Sequence, residues 1–300
     1  MNERVLHWVF FVALAFIWGS SFILMKEGLA YLSAYQVASI RILSSGLVLL
    51  PVAIRHFRNI PIGKVGYIFL SGLLGSLLPA YLFCMAEVGI DSSLAGTLNS
   101  LTPIFVILIG ILFFGMRIRP IQVLGVLLAF TGSILLYLAQ PGYAQSSQLL
   151  YLLMVVAATA CYGLNVNMVH RHLAHIPSMQ IAALALTSNA IPAALVLWLT
   201  GYFQMDLLRS GVLISTGFSC ILGVLGTALA SVIFYILIKR AGAVFSSMVT
   251  YGIPFVAIFW GILYNEEVGW KQLGGLLVIL MGVYLANKPA KAAAPGMAEK

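Results

Sequence analysis

The sequence predicts an all-α polytopic membrane protein with ten transmembrane helices arranged as two inverted five-helix repeats. Three observations predict this fold: an unusually apolar composition, ten apolar stretches of membrane-spanning length, and residues that recur in the two halves. Of the 300 residues, 62% are hydrophobic and 8% are charged, and the mean hydropathy is +1.05, whereas soluble domains are about 25% charged. This composition excludes disordered chains, disulfide-bonded secreted domains and ordinary cytosolic enzymes.

Ten apolar stretches are each long enough to cross the hydrocarbon core, which takes about 20 helical residues. They lie at about 5–26, 35–55, 65–86, 93–115, 120–139, 149–169, 179–200, 211–236, 243–264 and 269–287. The connections between them are short, so no separate soluble domain is expected. Residues 1–140 are expected to form the first repeat and residues 148–287 the second. The Ala-, Pro- and Lys-rich residues 288–300 predict a disordered cytoplasmic tail.

Basic residues indicate the orientation, because Lys and Arg collect in short loops on the cytoplasmic side. With the N-terminus inside, twelve basic residues lie at the inner ends and three at the outer ends. The inner set is Arg4, Arg55, Arg58, Lys64, Arg117, Arg119, Arg171, Lys239, Arg240, Lys288, Lys291 and Lys300, and the outer set is Lys26, Arg209 and Lys271. We therefore expect a multi-pass protein of the cell inner (plasma) membrane with both termini in the cytoplasm.

The two halves of the chain carry matching residues in the same order, 150 or 151 positions apart. The matching pairs are Gly72 and Gly223, Gly75 and Gly226, Pro103 and Pro254, Gly110 and Gly261, Gln122 and Gln272, Gly125 and Gly275, and Gly132 and Gly282. Because each half holds an odd number of spans, the second half must be inverted in the membrane relative to the first. Inverted repeats are typical of alternating-access carriers, whose substrate site lies near the midplane.

Several short strings in the sequence are similar to those of a known family. They are Trp18–Phe22 (WGSSF), Ala86–Pro103 (AEVGIDSSLAGTLNSLTP), and Tyr264–Glu267 (YNEE) followed by Gln272–Gly275 (QLGG). On these residues the chain resembles the EamA family of the drug/metabolite transporter superfamily, over residues 5–287. The resemblance implies a ten-helix permease built from two EamA-type repeats, and it implies export of small metabolites such as amino-acid-like solutes.

The first half departs from the family pattern at one position. In the family, a Glu precedes the Gln of the last string by six residues, which selects Glu266 in the second half and Met116 in the first. Met cannot form an ion pair. The resemblance therefore implies that a helix-end contact of this kind is absent from the first half or is made by Arg117.

Arg41 is the only basic residue well inside a predicted span. It lies about six residues from the outer end, roughly 9 Å deep at 1.5 Å per residue, and a charge at such a depth by default marks a function. If it faces a cavity, it can neutralise an anionic substrate group such as a carboxylate. The alternatives are snorkelling to the outer headgroups and an ion pair with Glu87 or Asp91.

Two prolines predict broken helices at matching places in the fourth and ninth spans. Pro103 and Pro254 remove the hydrogen-bond donor for the carbonyl four residues earlier, that of Asn99 or Thr250. Each kink is therefore expected to offer a free carbonyl and a polar side chain at one depth, with Tyr251 beside the second. Discontinuous helices form the substrate sites of many carriers, and the alternative is a kink used only for packing.

Trp18 and Tyr162 are predicted to line one central path from the two repeats. Each lies about 13 residues, roughly 20 Å, from one end of its span, too deep for the aromatic belt at the membrane surface. Asn165 follows Tyr162 by three residues and shares its helix face, and Tyr81 of the third span is a further candidate. The alternative for these residues is buried helix packing.

The sequence indicates no catalytic, cofactor or metal site. It contains no Walker A, HExxH or GxSxG string, and we interpret His170, His172 and His175 as part of a solvated loop. The expected partners are a small-molecule substrate and the lipid bilayer, with no nucleic acid, and the chain is expected to be a monomer or a homodimer. The rival hypotheses are an intramembrane lipid-modifying or proteolytic enzyme, which needs a nucleophile and a base at bilayer depth, and a lipid flippase.

The acidic residues bear on energy coupling. Proton-driven carriers place a titratable group where its protonation affects the site, whereas here every acidic residue lies at a span end or outside the bilayer. The sequence therefore predicts uniport or exchange driven by the gradient of the substrate. Glu87, at the outer end of the third span, is the one residue that would alter this prediction, since burial raises the pKa of a carboxyl group.

Overall fold

The architecture comes from a computed structural model, which describes residues 3–116, 119–139, 146–266 and 268–286. Within these ranges the elements are helices, and none is a β-strand. The helices are α1 (Glu3–Leu29), α2 (Ala34–His56), α3 (Ile62–Gly72), α4 (Leu78–Ala86), α5 (Ser92–Leu98), α6 (Thr102–Phe114), α7 (Pro120–Ala139), α8 (Ser146–His172), α9 (Ser178–Leu199), α10 (Ser210–Ile221), α11 (Ala230–Ser247), α12 (Ile253–Leu263) and α13 (Trp270–Ala286). The predicted tail, residues 288–300, and Arg117 lie outside the described residues.

Seven helical runs in the described chain are long and apolar enough to cross a membrane. One of them, Ser210–Leu263, has 54 residues, more than twice the length of a single crossing. It is interrupted inside α11 at Gly242, whose backbone leaves the helix at φ 84° and ψ 167°, a conformation that favours glycine. The helices α7 and α13 are shorter apolar helices. The prediction of an all-helical polytopic membrane protein is thus confirmed.

Two π-helical segments lie between consecutive α-helices: Leu73–Leu77 between α3 and α4, and Leu222–Leu229 between α10 and α11. Four of the repeated glycines lie in or beside these segments, where other helices approach closely. A side chain at Gly72 would overlap Asn189, one at Gly75 would overlap Asn165, one at Gly223 would overlap Ser44, and one at Gly226 would overlap Ser21. The glycines therefore serve close helix packing, the use that small residues commonly have in membranes.

The most extensive helix–helix contacts are those of α2 with α9 and of α7 with α13. Gly46 of α2 approaches Ala190 and the Leu186 carbonyl of α9. The helices α7 and α13 run antiparallel, and repeated glycines face each other between them. Gly125 lies against Gly282, and Gly132 lies against Gly275. Buried apolar side chains from helices of both halves, from α1 and α2 to α12 and α13, form the largest core cluster. The polar residues described next lie within this packed interior.

Candidate substrate site

A cavity of about 70 Å³ lies among α1, α2, α4, α8, α11 and the two π-helical segments. Six of the residues predicted from the sequence line it, namely Trp18, Arg41, Asn99, Tyr162, Asn165 and Thr250. Typical small-molecule sites enclose about 300–1,000 Å³. The surrounding helices must therefore separate before the cavity can admit an organic solute of ordinary size.

Arg41 lies in the cavity wall with only 7% of its surface exposed. Its Nε donates a hydrogen bond to Thr227 Oγ1 at 2.8 Å, and its Nη1 lies 3.7 Å from the sulfur of Met25. Within the described chain no carboxylate forms an ion pair with Arg41. Burial excludes snorkelling in this conformation, and the predicted alternative of an ion pair with Glu87 or Asp91 is not found. The guanidinium is a buried charge available to a ligand.

Asn165 presents an unsatisfied polar group to the same cavity. It is 3% exposed, and its Oδ1 has no hydrogen-bond partner among the described residues. Tyr235, which also lines the cavity, shares a hydrogen bond with Ser71 at 3.0 Å. A buried acceptor without a donor costs about 1–3 kcal/mol, so a bound molecule that donates a hydrogen bond to it would recover part of that cost.

Aromatic rings form much of the remaining wall. The Trp18 indole N–H donates to the carbonyl of Gly226 at 3.0 Å, so a π-helical segment satisfies the deep indole. The Trp18 ring contacts Phe234 edge-on at a centroid separation of 4.9 Å, and Tyr162 stacks on Phe83 at 6.1 Å. These rings offer apolar surface next to the Arg41 guanidinium, and the Tyr162 side chain lies within electrostatic reach of that charge.

The two proline-containing breaks lie where the sequence predicts them. Residues Asn99–Leu101 and Met248–Tyr251 form 3₁₀ turns directly before α6 and α12, and Pro103 and Pro254 lie in the first turn of those helices. The freed carbonyl of Asn99 is nevertheless occupied, because the Thr102 hydroxyl donates to it at 2.8 Å. The expectation that this kink offers a free carbonyl is therefore wrong, although the Asn99 side chain lines the cavity.

Two predicted tyrosines lie away from the cavity wall. The Tyr81 hydroxyl shares a hydrogen bond with Ser39 at 2.8 Å, and the Tyr251 hydroxyl donates to the carbonyl of Val283 at 3.3 Å. Ser76 and Thr227 line the cavity instead. Ser76 directly follows the repeated Gly75, and Thr227 directly follows its counterpart Gly226, 151 residues later. The internal repeat therefore contains a signal that could have identified both residues.

A polar cluster closes one end of the molecule, and we call it the Glu266 clasp (Lys26, Ser92, Ser93 and Glu266). Lys26 Nζ lies 2.8 Å from Glu266 Oε1. The backbone N–H groups of Ser92 and Ser93 donate to the same carboxylate at 3.2 and 3.0 Å. Burial alone would raise the pKa of Glu266, but the bonds from Lys26 and Ser93 hold it below its ordinary value. The clasp thus joins the end of α1, the start of α5 and the α12–α13 connection.

The opposite end of the molecule lacks an equivalent ion pair among the described residues. Met116 packs against Gly110 there, as Glu266 packs against Gly261. The exposed Arg171 donates to the Phe114 carbonyl at 2.9 Å, which is a weaker link than a buried carboxylate with three donors. Among the described residues, the Glu266 end therefore holds the stronger link of the two.

The family model described as "EamA-like transporter family" matches residues 6–138 and again residues 149–288. The chain belongs to this family. The resemblance seen in the sequence is thereby confirmed, and the EamA-like family indicates a membrane transporter rather than an enzyme.

Relatives of this EamA-like protein carry transporter names without a stated substrate. An uncharacterized transporter of Archaeoglobus fulgidus is 25% identical over 93% of this chain and 97% of its own. The uncharacterized transporter YvbV of Bacillus subtilis is 25% identical over 96% of this chain and 94% of its own. One crystal structure matches 93% of this chain and 95% of its own at 16% identity and a TM-score of 0.65, which shows a shared fold alone.

The Glu266 clasp makes a prediction for the stability of this EamA-like transporter. Glu266→Ala should lower the free energy of unfolding by about 2–4 kcal/mol, because it leaves two backbone donors unpaired and removes a buried charged acceptor. Lys26→Ala should cost less than about 1 kcal/mol, since the Lys26 side chain is 40% exposed. Thermal unfolding in detergent measures both, with Glu27→Ala as the control at the same end. Equal losses from Lys26→Ala and Glu266→Ala would contradict this account of the clasp.

Proposed function

We propose that this protein is a secondary transporter that exports small organic metabolites by alternating access through the cavity at Arg41. The observation that carries the proposal is a buried guanidinium that lines the cavity and has no carboxylate partner in the described chain. An uncompensated charge inside a membrane protein is costly and by default functional. A substrate that supplies the missing negative charge would offset that cost while it is bound.

The wall chemistry favours an amino-acid-like solute. Arg41 binds a carboxylate through charge-assisted hydrogen bonds, and Asn165 Oδ1 accepts a hydrogen bond from an amino or hydroxyl group on the same molecule. The rings of Trp18 and Tyr162 contact the apolar part of the solute. A lipid tail or a bare inorganic ion would leave at least one of these groups without a partner.

We propose ten membrane crossings in two inverted five-helix repeats. The break at Gly242 divides the 54-residue run into two crossings, and the shorter helices α7 and α13 supply two more beside the six remaining runs. Two further observations support the repeats: the family model matches each half separately, and the glycines of each π-helical segment face the opposite half of the chain. Such symmetry gives a carrier two alternative ways to close.

We further propose that the Glu266 end faces outward across the inner membrane and that both termini are cytoplasmic. The described basic residues support this orientation, since Arg55, Arg58, Lys64 and Arg171 lie at the other end. In this orientation the Glu266 clasp lies on the outer side of the membrane and holds that side closed. Transport follows the gradient of the substrate, by uniport or exchange, which suits relief of an internal excess.

Cysteine labelling tests this orientation. Gly63→Cys and Gly269→Cys, each in a background without Cys84, Cys161 and Cys220, should react oppositely with a membrane-impermeant thiol reagent added to intact cells. Position 269 should react from outside and position 63 only after the cells are opened. Both glycines have open space where a Cβ would lie, so the substitutions themselves are mild. Labelling of both positions from the same side would refute the proposed topology.

Flux measurement tests the function. Metabolites that accumulate in a deletion strain and decline in an overexpressing strain identify the substrate, and the purified protein in liposomes should move that metabolite down its gradient without ATP. Turnover of a lipid or peptide with no solute flux would instead support an enzyme, and movement of a labelled lipid between leaflets would support a flippase.

A further inference from the structure

Glu87 is half-buried, and both oxygens of its carboxyl group are buried. It follows the last residue of α4 at the Glu266 end, and in the described chain no group is hydrogen-bonded to either of its carboxyl oxygens, both of which are buried. The hydroxyl of Ser92 is buried at the same end and is also unsatisfied within the described residues. A carboxylate in such surroundings is far costlier than a neutral carboxylic acid.

Glu87 lies near both negatively and positively charged side chains. The Glu266 carboxylate repels it, whereas Arg41 on α2 and Lys26 on α1 attract it, and the Cys84 thiol lies one turn before it. Lys26 is already paired with Glu266 at 2.8 Å, and Arg41 bonds Thr227. Burial first, and Glu266 second, raise the pKa of Glu87 well above its ordinary value. The two cations and the nearby Ser92 hydroxyl offset this increase only in part.

We propose that Glu87 is a proton-binding site linked to closure of the Glu266 end. Closure buries Glu87 beside Glu266 and transfers a proton from water to its carboxylate, and opening hydrates the group and returns the proton to water. The proposal rests on the alternating-access function, because it assumes that this end opens. It adds proton-linked closure to the expected uniport or exchange cycle without requiring net proton transport.

The sign of the pH dependence follows from the two carboxyl groups. Glu87 has a raised pKa in the closed form, so its protonation favours closure most strongly below the ordinary carboxyl pKa, and this contribution is lost as the pH rises toward the raised value. Glu266 has a lowered pKa in the closed form, so its contribution is lost only in acid. The ratio of closed to open forms should change up to tenfold for each unit of difference in the pKa of Glu87.

Spin-label distances test the proposal without any substrate. Nitroxides at Val88→Cys and Trp270→Cys, both exposed positions at the Glu266 end, should give a short distance at pH 5 and a growing long-distance population at pH 8.5. In Glu87→Gln, a neutral mimic of the protonated carboxyl, the short distance should persist at both values. Glu27→Gln is the matched control and should titrate like the wild type.

Three outcomes would overturn the proposal. The first is a distance that does not change with pH in the wild type, and the second is an unchanged pH response in Glu87→Gln. The third is a distance that differs between sodium chloride and potassium chloride at constant pH. The last would assign the Glu87 oxygens to a metal cation. Loss of flux with a normal pH response would count against the exporter and not against the proton site, so the two failures are distinguishable.

Discussion

Gly223→Ala should yield far less folded protein than the wild type and unfold at a lower temperature. The new Cβ would overlap the Ser44 hydroxyl and the backbone carbonyl of Arg41. The hydroxyl can rotate away but the carbonyl cannot, so α2 must move and the cost is about 3 kcal/mol, at the upper end for overpacking. Size-exclusion chromatography and thermal unfolding in detergent measure the effect.

Gly217→Ala is the matched control for this prediction. Gly217 lies in α10 within the same helical run, and no atom lies within 4 Å of the place that a Cβ would take there. Because Ala has a higher helix propensity than Gly, Gly217→Ala should be neutral or slightly stabilising. Equal destabilisation by the two substitutions would show that close contact with α2 is not the reason for Gly223.

Arg41→Gln should lower the flux of a carboxylate substrate by about 10- to 100-fold, since hydrogen bonds to charged groups contribute about 1.5–3 kcal/mol. The thermal stability should stay the same or rise, because the substitution removes a buried charge that has no carboxylate partner in the described chain. Proteoliposome flux and thermal unfolding together separate the binding role from a structural one.

Two further variants sharpen the Arg41 test. Arg58→Gln makes the same change at an exposed residue and should leave flux unchanged. Arg41→Lys should restore only part of the activity, because an ammonium group cannot reproduce the planar, two-pronged contact of a guanidinium with a carboxylate. Wild-type flux in Arg41→Gln would show that the substrate does not bind this residue.

Local features of the sequence predicted those parts of the structure that depend on local chemistry. Apolar spans of membrane-crossing length predict helices, because a helix satisfies the hydrogen-bonding groups of its own backbone inside a membrane. Repeated glycines mark positions where helices approach closely, and Pro103 and Pro254 lie where a new helix begins. The depth of Arg41 in its span left both a cavity position and snorkelling open, and the fold decides for burial.

Features that depend on tertiary contacts could not be predicted in this way. Lys26 and Glu266 are separated by 240 residues, so only the fold reveals their ion pair. The sequence places Glu87 at a span end, but the packing of the Glu266 clasp around it decides that its carboxyl is buried. At Asn99, the hydroxyl and the backbone N–H of Thr102 both donate to the freed carbonyl, an arrangement that the proline alone does not specify.

The most direct test of the central claim is competition in wild-type proteoliposomes between the transported metabolite and its carboxamide. The two molecules have nearly the same shape, but only the metabolite carries the negative charge that Arg41 is proposed to bind. Excess unlabelled metabolite should inhibit flux of the labelled metabolite at least about tenfold more strongly than the amide does. Equal inhibition by the two would contradict the proposed role of the Arg41 cavity in substrate binding.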